Sequence, residues 1–513
     1  AGDAFIIAAA LDKNDQVTGL NANSNSMGTV AAKAFGDMLL VNKTIQTLDV
    51  SDNSFGKVQV GDQVKLKSSG EMKVVTHFDS SSGILYEGKT NSWTKHSEFD
   101  TIPAVLPAKQ LRENTIETLD LSNKGLGVDG GLMLAALMAR NDSTKVLHVS
   151  NCSMSTAAAE AFGGMLSENT TLKTLDVSGN SFGKLAVGDQ VKLKSSGEMK
   201  VVTRYDFSNG ILYEGKTDAW TKHSDYEWES QFPAFCAGLK CNSALESLDA
   251  SKNGLGPAGG EVLADVLKTN SVLTVLHVFS NQMGSEGGKL LASAIKAHPN
   301  YIQIAMSMFD GKTDVDMSKK KGLDAGDGHI FAAALESNST VDSIVIGSNY
   351  KPATIPLKQL RENSVEALDF EGKQLLALGG IVLASALREN TSVTVLNPFS
   401  NKMGAGGGKL LADAIKAHPN YTQIAMNMFD GKADVDMSNK GLDAGDAFII
   451  AAALEKNDQV TGLNVSSNNL GPEGGKAIAA SIADNSSITS VSNFSMLFLE
   501  TFRGRDSHEI TVS

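Results

Sequence analysis

The chain of 513 residues is 42% hydrophobic and 20% charged, with a formal net charge of −13. That composition belongs to a folded chain rather than a disordered one, and the length accommodates several domains or one extended array. The acidic balance excludes a general nucleic-acid binder, which needs basic surface to displace phosphate counterions, and it favours neutral or basic partners.

The chain opens on AGDAFIIAAALDKNDQVTGLN at 1–21, and this text returns at 444–464 with one change, Asp12 to Glu455. It therefore starts inside a repeat, as expected of a processed or truncated chain or a part of a longer parent, and no secretory leader opens it. The pattern apolar-x-x-apolar-x-apolar-x-x-Asn then recurs. Its rungs begin at Val17, Ile45, Ile116, Thr144, Leu172, Leu245, Leu273, Val341, Val365, Val393, Val460 and Ile488. Neighbouring rungs fall 28 residues apart from 17 to 45, 116 to 144 to 172, 245 to 273, 365 to 393 and 460 to 488.

Each unit has two halves. The first, as in IQTLDVSDN, alternates apolar and polar residues and predicts a short strand. The second, as in GPAGGEVLADVLKTNSV, spaces Val262, Leu263, Val266 and Leu267 as a helix does. One unit cannot bury its apolar face alone, so neighbours must stack into a shared core. The Asn position holds Asn25, Asn53, Asn123 (one residue early), Asn180, Asn253, Asn281, Asn349, Asn401 and Asn468, with Cys152 in one rung. The amide is expected to satisfy backbone groups of the adjacent turn, and Cys152 to be a small buried structural residue. Asn42, Asn169 and Asn338 open Asn-X-Ser/Thr sequons, but most such sites fall at repeat junctions where Asn has a backbone role, so glycosylation is not expected.

The spacing widens twice early in the chain, to 71 residues from 45 to 116 and 73 from 172 to 245. Both gaps carry VGDQVKLKSSGEMKVVT, then GILYEGKT, then a Trp-Thr-Lys-His-Ser element, so a block of about 127 residues is duplicated. Short strands with Gly and Ser turns predict two small β modules, which loops of a stacked array accept at low entropic cost. The organisation read here is solenoid over 1–56, module over 57–103, solenoid over 104–183, module over 184–232, solenoid over 233–495 and a tail over 496–513. A second block, 245–340, recurs as 365–459. Within it the stretches QIAMSMFDGKTDVDMSKKKGLDAGD and QIAMNMFDGKADVDMSNKGLDAGD predict an extra strand-turn of about 11 residues, and Pro352 and Pro356 predict a shortened helix in the unit at 341–364.

Units such as LESLDASKNGLGPAGGEVLADVLKTNSV resemble leucine-rich repeats, of the long ribonuclease-inhibitor-like subtype, and the modules resemble SH3-like or Tudor-like barrels. The first resemblance implies an α/β solenoid, a horseshoe with parallel strands on its concave face and helices on its convex face. It also implies a non-enzymatic scaffold that binds proteins along that concave face, alone or as a peripheral subunit of a larger assembly. Ran GTPase-activating proteins are similar in repeat type, and nucleotide-sensor receptors carry such repeats, which implies an alternative role as a regulator of a GTPase or a sensor.

On each strand the residue between two core positions is expected to face the concave side. Those residues are Asp49, Asp120, His148, Asp176, Asp249, His277, Asp316, Asp369, Asn397, Asp436 and Asn464. They form either an acidic strip for a basic protein partner or a solvated face whose Asp side chains bond nearby backbone, Ser and Thr. In the modules, Tyr86, Trp93, Tyr213 and Trp220 offer an aromatic ligand groove, against the commoner use of such rings as module core. FDGKTDVD at 309–316 and FDGKADVD at 429–436 lack the order of a calcium loop and predict turns. No His-Glu-x-x-His motif or paired Cys-x-x-Cys motif occurs, and no catalytic residue, cofactor or metal is expected. Cys152, Cys236 and Cys241 are too few for a disulfide framework and predict reduced thiols in a cytosol-like compartment. No run of about 18 apolar residues predicts a membrane span.

Overall fold

A computed structural model describes residues 7–8, 10–11, 13–21, 34–36, 38–39, 41–42, 44–45, 47–49, 63–66, 72–79, 83–86, 89–94, 99–101, 105–185, 189–206, 210–213, 216–347, 351–492 and 511–512, with backbone alone for 47–105 and 511–512. The chain divides into two compact units, 1–281 with 297–304 and 282–296 with 305–513.

In the first unit the strands Thr118–Asp120, Val146–His148, Thr174–Asp176, Ser247–Asp249 and Val275–His277 lie side by side in one parallel sheet. The rungs that begin at Ile116, Thr144 and Leu172 are thus direct neighbours. Equal repeat length puts Leu119, Leu147, Leu175, Leu248 and Leu276 at one height, all buried, which fixes the register residue for residue. The helices Gly127–Ala139, Thr156–Glu168, Phe232–Cys241 and Gly256–Leu267 return the chain between strands. Gly163 and Gly238 let two of them touch backbone to backbone, since a Cβ on either would fall inside the other helix.

The strands that lie between 190 and 227 stand outside this array without breaking it, because Thr174–Asp176 pairs directly with Ser247–Asp249 on their far side. They form a five-stranded antiparallel sheet in the order 216–221, 210–213, 199–206, 190–193, 226–227, with a 3-10 turn at His223–Asp225. The strands Gln63–Leu66, Met72–Asp79, Gly83–Tyr86, Lys89–Thr94 and Phe99–Thr101 repeat that order. Near the start of the chain Gly19–Asn21 pairs in parallel with Thr47–Asp49, and the next neighbour is the antiparallel strand Val105–Leu106.

The second unit holds three shorter parallel sets. Asp314–Asp316 pairs with Ser343–Ile346, Ala367–Asp369 with Val395–Asn397, and Asp434–Asp436 with Gly462–Asn464 and then Ser490–Ser492. Ser343–Ile346 is closed by the antiparallel strand Ala353–Ile355, and the helix that follows, Leu357–Arg361, has only five residues with Pro356 at its N-cap. The expected strand-turn insertions are instead helical. Tyr301–Ser307 and Tyr421–Asn427 are extra short helices, and the FDGK text after each is a turn with Asp310 and Asp430 left-handed. Tyr421, Ile424 and Ala425 recur at helical spacing, and Ile424 and Ala425 are buried.

Two ladders of side chains hold the rungs together. At the turn after each strand, Asn180 donates to Val149 O (3.0 Å) and Val177 O (2.8 Å) and accepts from Cys152 N and Met154 N (both 3.0 Å). Asn253, Asn281, Asn401 and Asn468 bond in the same way, and Cys152 donates its thiol to Leu121 O at 3.1 Å. Asn123 does not belong to this ladder. Lys124 occupies the ladder position, while Asn123 is the left-handed residue of the turn with φ of 60°, a conformation that Asn tolerates better than most residues. Asn25, Asn53 and Asn349 lie outside the described residues. The second ladder runs along the helix ends, where Asn169 donates to Met138 O (2.7 Å) and Asn141 O (2.9 Å), and Asn242 to Leu166 O and Asn169 O. Asn42, Asn169 and Asn338 are all buried in it.

Candidate interaction surface

Strand alternation turns the residues flanking each buried leucine outward. In the first unit this builds one continuous row, Asp120–His148–Asp176–Asp249–His277. The histidines punctuate the carboxylates: His148 Nδ1 lies 3.8 Å from Asp176 Oδ2, and His277 Nδ1 lies 3.8 Å from Asp249 Oδ2. His277 also stacks on Phe279, with ring centroids 6.2 Å apart. A parallel row, Thr118–Val146–Thr174–Ser247–Val275, is uncharged.

Each Asp also closes a local turn. Asp120, Asp176 and Asp249 accept the amides of Ser122, Ser178 and Ser251 through Oδ1, each at 2.9 Å. The Ser122 amide is the main cause of holding the Asp120 carboxyl below its ordinary range, against a smaller opposing effect of burial. Burial pushes Asp249 up, but the facing His277 and Ser251, whose amide it accepts, together outweigh burial, so its carboxyl lies below the ordinary range. Both therefore stay ionised at neutral pH.

The second unit splits the equivalent positions. Asp316 stands beside Val345, Asp369 beside Asn397 and Asp436 beside Asn464. Asp316 and Asp436 bond Ser318 and Ser438 as their counterparts do, which lowers both carboxyls. Asn397 donates to Glu371 at 3.2 Å, and Glu371 pairs with Lys440 at 3.6 Å. Asp49 keeps its place in a strand, but its side chain lies outside the described residues, as do those of Tyr86 and Trp93.

In the module at 184–232, Leu185, Val191, Leu193, Val202, Ile211 and Tyr226 form a core on which Tyr213 and Trp228 pack. Lys216 lies over the Tyr213 ring at 5.5 Å. Tyr213 is therefore spent on the core, and Trp220 is half-buried outside that cluster.

Two strings that mimic catalytic motifs are resolved by their context. GILYEGKT, at 83–90 and 210–217, has the spacing of a phosphate-binding loop. Its halves here are antiparallel strands, with Tyr213 opposite Lys216, and the Lys216 ammonium bonds Thr221 Oγ1 at 2.9 Å, so no loop-to-helix phosphate cradle forms. GNSFG at 179–183 has the spacing of a nucleophile elbow, but Asn180 and Phe182 are buried and the module follows the turn where an elbow needs a helix.

Sequence reading also missed His298 and His418, which replace Asn at the helix-end ladder. His298 Nδ1 accepts from Asn300 N at 3.1 Å, which leaves Nε2 to donate to Asn270 O at 2.6 Å. Burial lowers the pKa of His418 in the same setting. The motif Ala-His-Pro-Asn at the helix end, present twice, is the signal that marks them.

Parallel rungs, an asparagine ladder and returning helices define a stacked strand–helix repeat protein. The pattern of the family described as Leucine Rich repeat matches residues 168–185, 269–292 and 460–479, so these three stretches are similar to leucine-rich repeats. Such repeats commonly mediate protein–protein interaction and are generally non-enzymatic. No curated protein matches the chain. Among the described residues, no helix is long and apolar enough to cross a membrane, and no group of three or more His, Cys, Asp or Glu could hold a metal ion.

Proposed function

We propose that this chain is a non-enzymatic interaction scaffold of the ribonuclease-inhibitor-like subtype, curved as a horseshoe. In this reading it takes a basic protein partner along the outward strand positions. Asp49, Asp120, His148, Asp176, Asp249, His277, Asp316, Asp369 and Asp436 are the contact residues of this reading, within a larger assembly. The modules are SH3-like or Tudor-like barrels, a reading supported by their shared strand order and by the 3-10 turn before the last strand.

The observation that carries the proposal is the unbroken row across five paired strands in the first unit. Three carboxylates in fixed register, Asp176 and Asp249 on neighbouring strands roughly 5 Å apart and Asp120 one strand further off beyond His148, present a rigid linear charge that a basic segment can match. The test compares partners captured by the intact chain and by the triple variant Asp120→Asn, Asp176→Asn, Asp249→Asn, at low and at high salt. Salt-sensitive loss of specific partners from the variant is the expected result, because exposed charges are screened over about 10 Å at 0.1 M salt. An unchanged partner set overturns the proposal, and acceleration of GTP hydrolysis by the intact chain replaces it with the GTPase-regulator role.

A further inference from the structure

The module at 184–232 also walls a groove against the helix layer of the first unit. Its cavity measures about 1470 Å³, larger than the roughly 300–1,000 Å³ of small-molecule pockets and of a size for a peptide segment. Small residues line one side: Ala157, Ala161 and Gly164 on one helix, with Ala234 and Ala237 on the next. A Cβ added at Gly164 would meet nothing within 4 Å, so the side is open to an incoming backbone. Met199, 55% exposed, and Trp228 face it from the module.

The charge of the lining is one-sided. Glu160, Glu168, Asp189, Glu227 and Glu229 line the groove, against only Arg140 and Lys192. Arg140 already lies 3.9 Å from Glu168. Asp189 is 2% exposed and accepts from Thr156 Oγ1 at 3.1 Å, which ties the module to the helix beneath it.

The internal duplication supplies a comparison. At the aligned positions of the first block, 127 residues earlier, the sequence keeps Asp62, Lys65 and Met72 for Asp189, Lys192 and Met199. It replaces Glu160 with Lys33, Glu168 with Val41, Trp228 with Thr101 and Glu229 with Ile102. With Gly164, which is Asp37 in the first block, these lining positions carry 0 in the first block and −3 in the second, while most of the text that builds the module is retained. Glu160, Glu168 and Glu229 have no acidic counterpart in the first block.

We infer that this groove docks a basic amphipathic helix of a partner protein, with small or apolar side chains against the Ala and Gly side and Lys or Arg toward the glutamates. Such a mode lays an apolar helix face into a groove and draws orientation from the flanking charge. The inference is independent of the strand-face reading.

The test uses the full chain with Trp93→Phe and Trp220→Phe, which leaves Trp228 as the sole tryptophan of the three. The probe is a fluorescein-labelled helical peptide of lysine, alanine and leucine, and its control carries glutamate for every lysine. The lysine peptide is expected to shift Trp228 emission on binding in the groove, whatever it does at the strand face. Glu160→Lys with Glu229→Lys, which reverses the charge at two rim positions, is expected to weaken binding at least ten-fold. Ala161→Trp, which fills the groove, is expected to abolish it, whereas Asp176→Asn with Asp249→Asn leaves it unchanged. Equal binding of the glutamate peptide, insensitivity to the rim reversal, or loss on the strand-face substitutions would each overturn the inference.

Discussion

Replacing Asn180 with alanine removes four short hydrogen bonds at one buried point, besides a longer one to Ser178 O. The lost bonds run to Val149 O, Val177 O, Cys152 N and Met154 N at 2.8–3.0 Å, in a turn where Asn180 is 2% exposed. Alanine supplies no substitute, so at about 1 kcal/mol net per bond the turn loses about 4 kcal/mol. In a stacked array that loss stays near the altered interface, because each repeat contacts only its neighbours. Hydrogen exchange on the full chain therefore reads it better than a global melt. The Cys152 and Met154 amides should lose between two and three decades of protection, at about 1.4 kcal/mol per decade. The amide of Leu375, held by Asn401 Oδ1 at 3.1 Å in the second unit, is the internal control. Asn180→Cys should keep a donor to Val149 O, as the Cys152 thiol donates to Leu121 O one rung earlier, but not the amide oxygen that protects the Cys152 and Met154 amides. Unchanged exchange at Cys152 and Met154, or an equal loss at Leu375, would refute the ladder as the source of rung cohesion.

Two further outcomes follow from contacts between helices. Gly163→Ala drives a methyl into the Ala234 carbonyl and should cost about 1–3 kcal/mol, whereas Gly164→Ala, open on that side, should gain up to about 1 kcal/mol of helix propensity. Equal denaturation midpoints for the two variants would mean that these helices do not touch there. In the second unit Ser285 Oγ lies 3.0 Å from His329 Nε2, and the later block carries Ala405 and Phe448 at the matching positions. Burial, with help from Lys289 and against Glu286 and Asp324, lowers His329 from 6.5 to about 4. The unfolded chain then binds the proton first, so this contribution is whole above pH 6.5 and is lost as pH falls toward 4. Ser285→Ala with His329→Phe should fold and flatten the decline of denaturation midpoint over that window; an unaltered slope would place its origin elsewhere.

The rungs were legible because a 28-residue period repeats the same leucine at the same height, and Leu119, Leu147 and Leu175 pair accordingly. What escaped was local. Val105–Leu106 and Ala353–Ile355 interrupt the parallel ladders with antiparallel strands, although both precede a proline, and a residue before proline is pushed toward extended backbone. The helices at Tyr301–Ser307 and Tyr421–Asn427 were hidden by their shortness, since two turns give little periodicity to detect. Asn123 misled because Asn serves both the ladder and the left-handed turn, and only geometry separates these uses.

The outward aspartates posed a choice between partner binding and local structure, and in Asp176 and Asp249 the local turn takes up one carboxylate oxygen only. Oδ1 of Asp176 and of Asp249 closes the turn onto a serine amide two residues on, while Oδ2 faces histidine across the strands. The Asp-x-Ser spelling at Asp120, Asp176, Asp249, Asp316 and Asp436 was the available sign of that turn, which Asp forms with its own backbone. Charge and turn can therefore be removed separately. Asn464 already closes the same turn onto Ser466 N at 3.1 Å without a charge. An Asp-to-Asn exchange at these positions subtracts the charge and keeps the fold, whereas reversal to lysine would subtract both and confound a lost partner with a loosened turn.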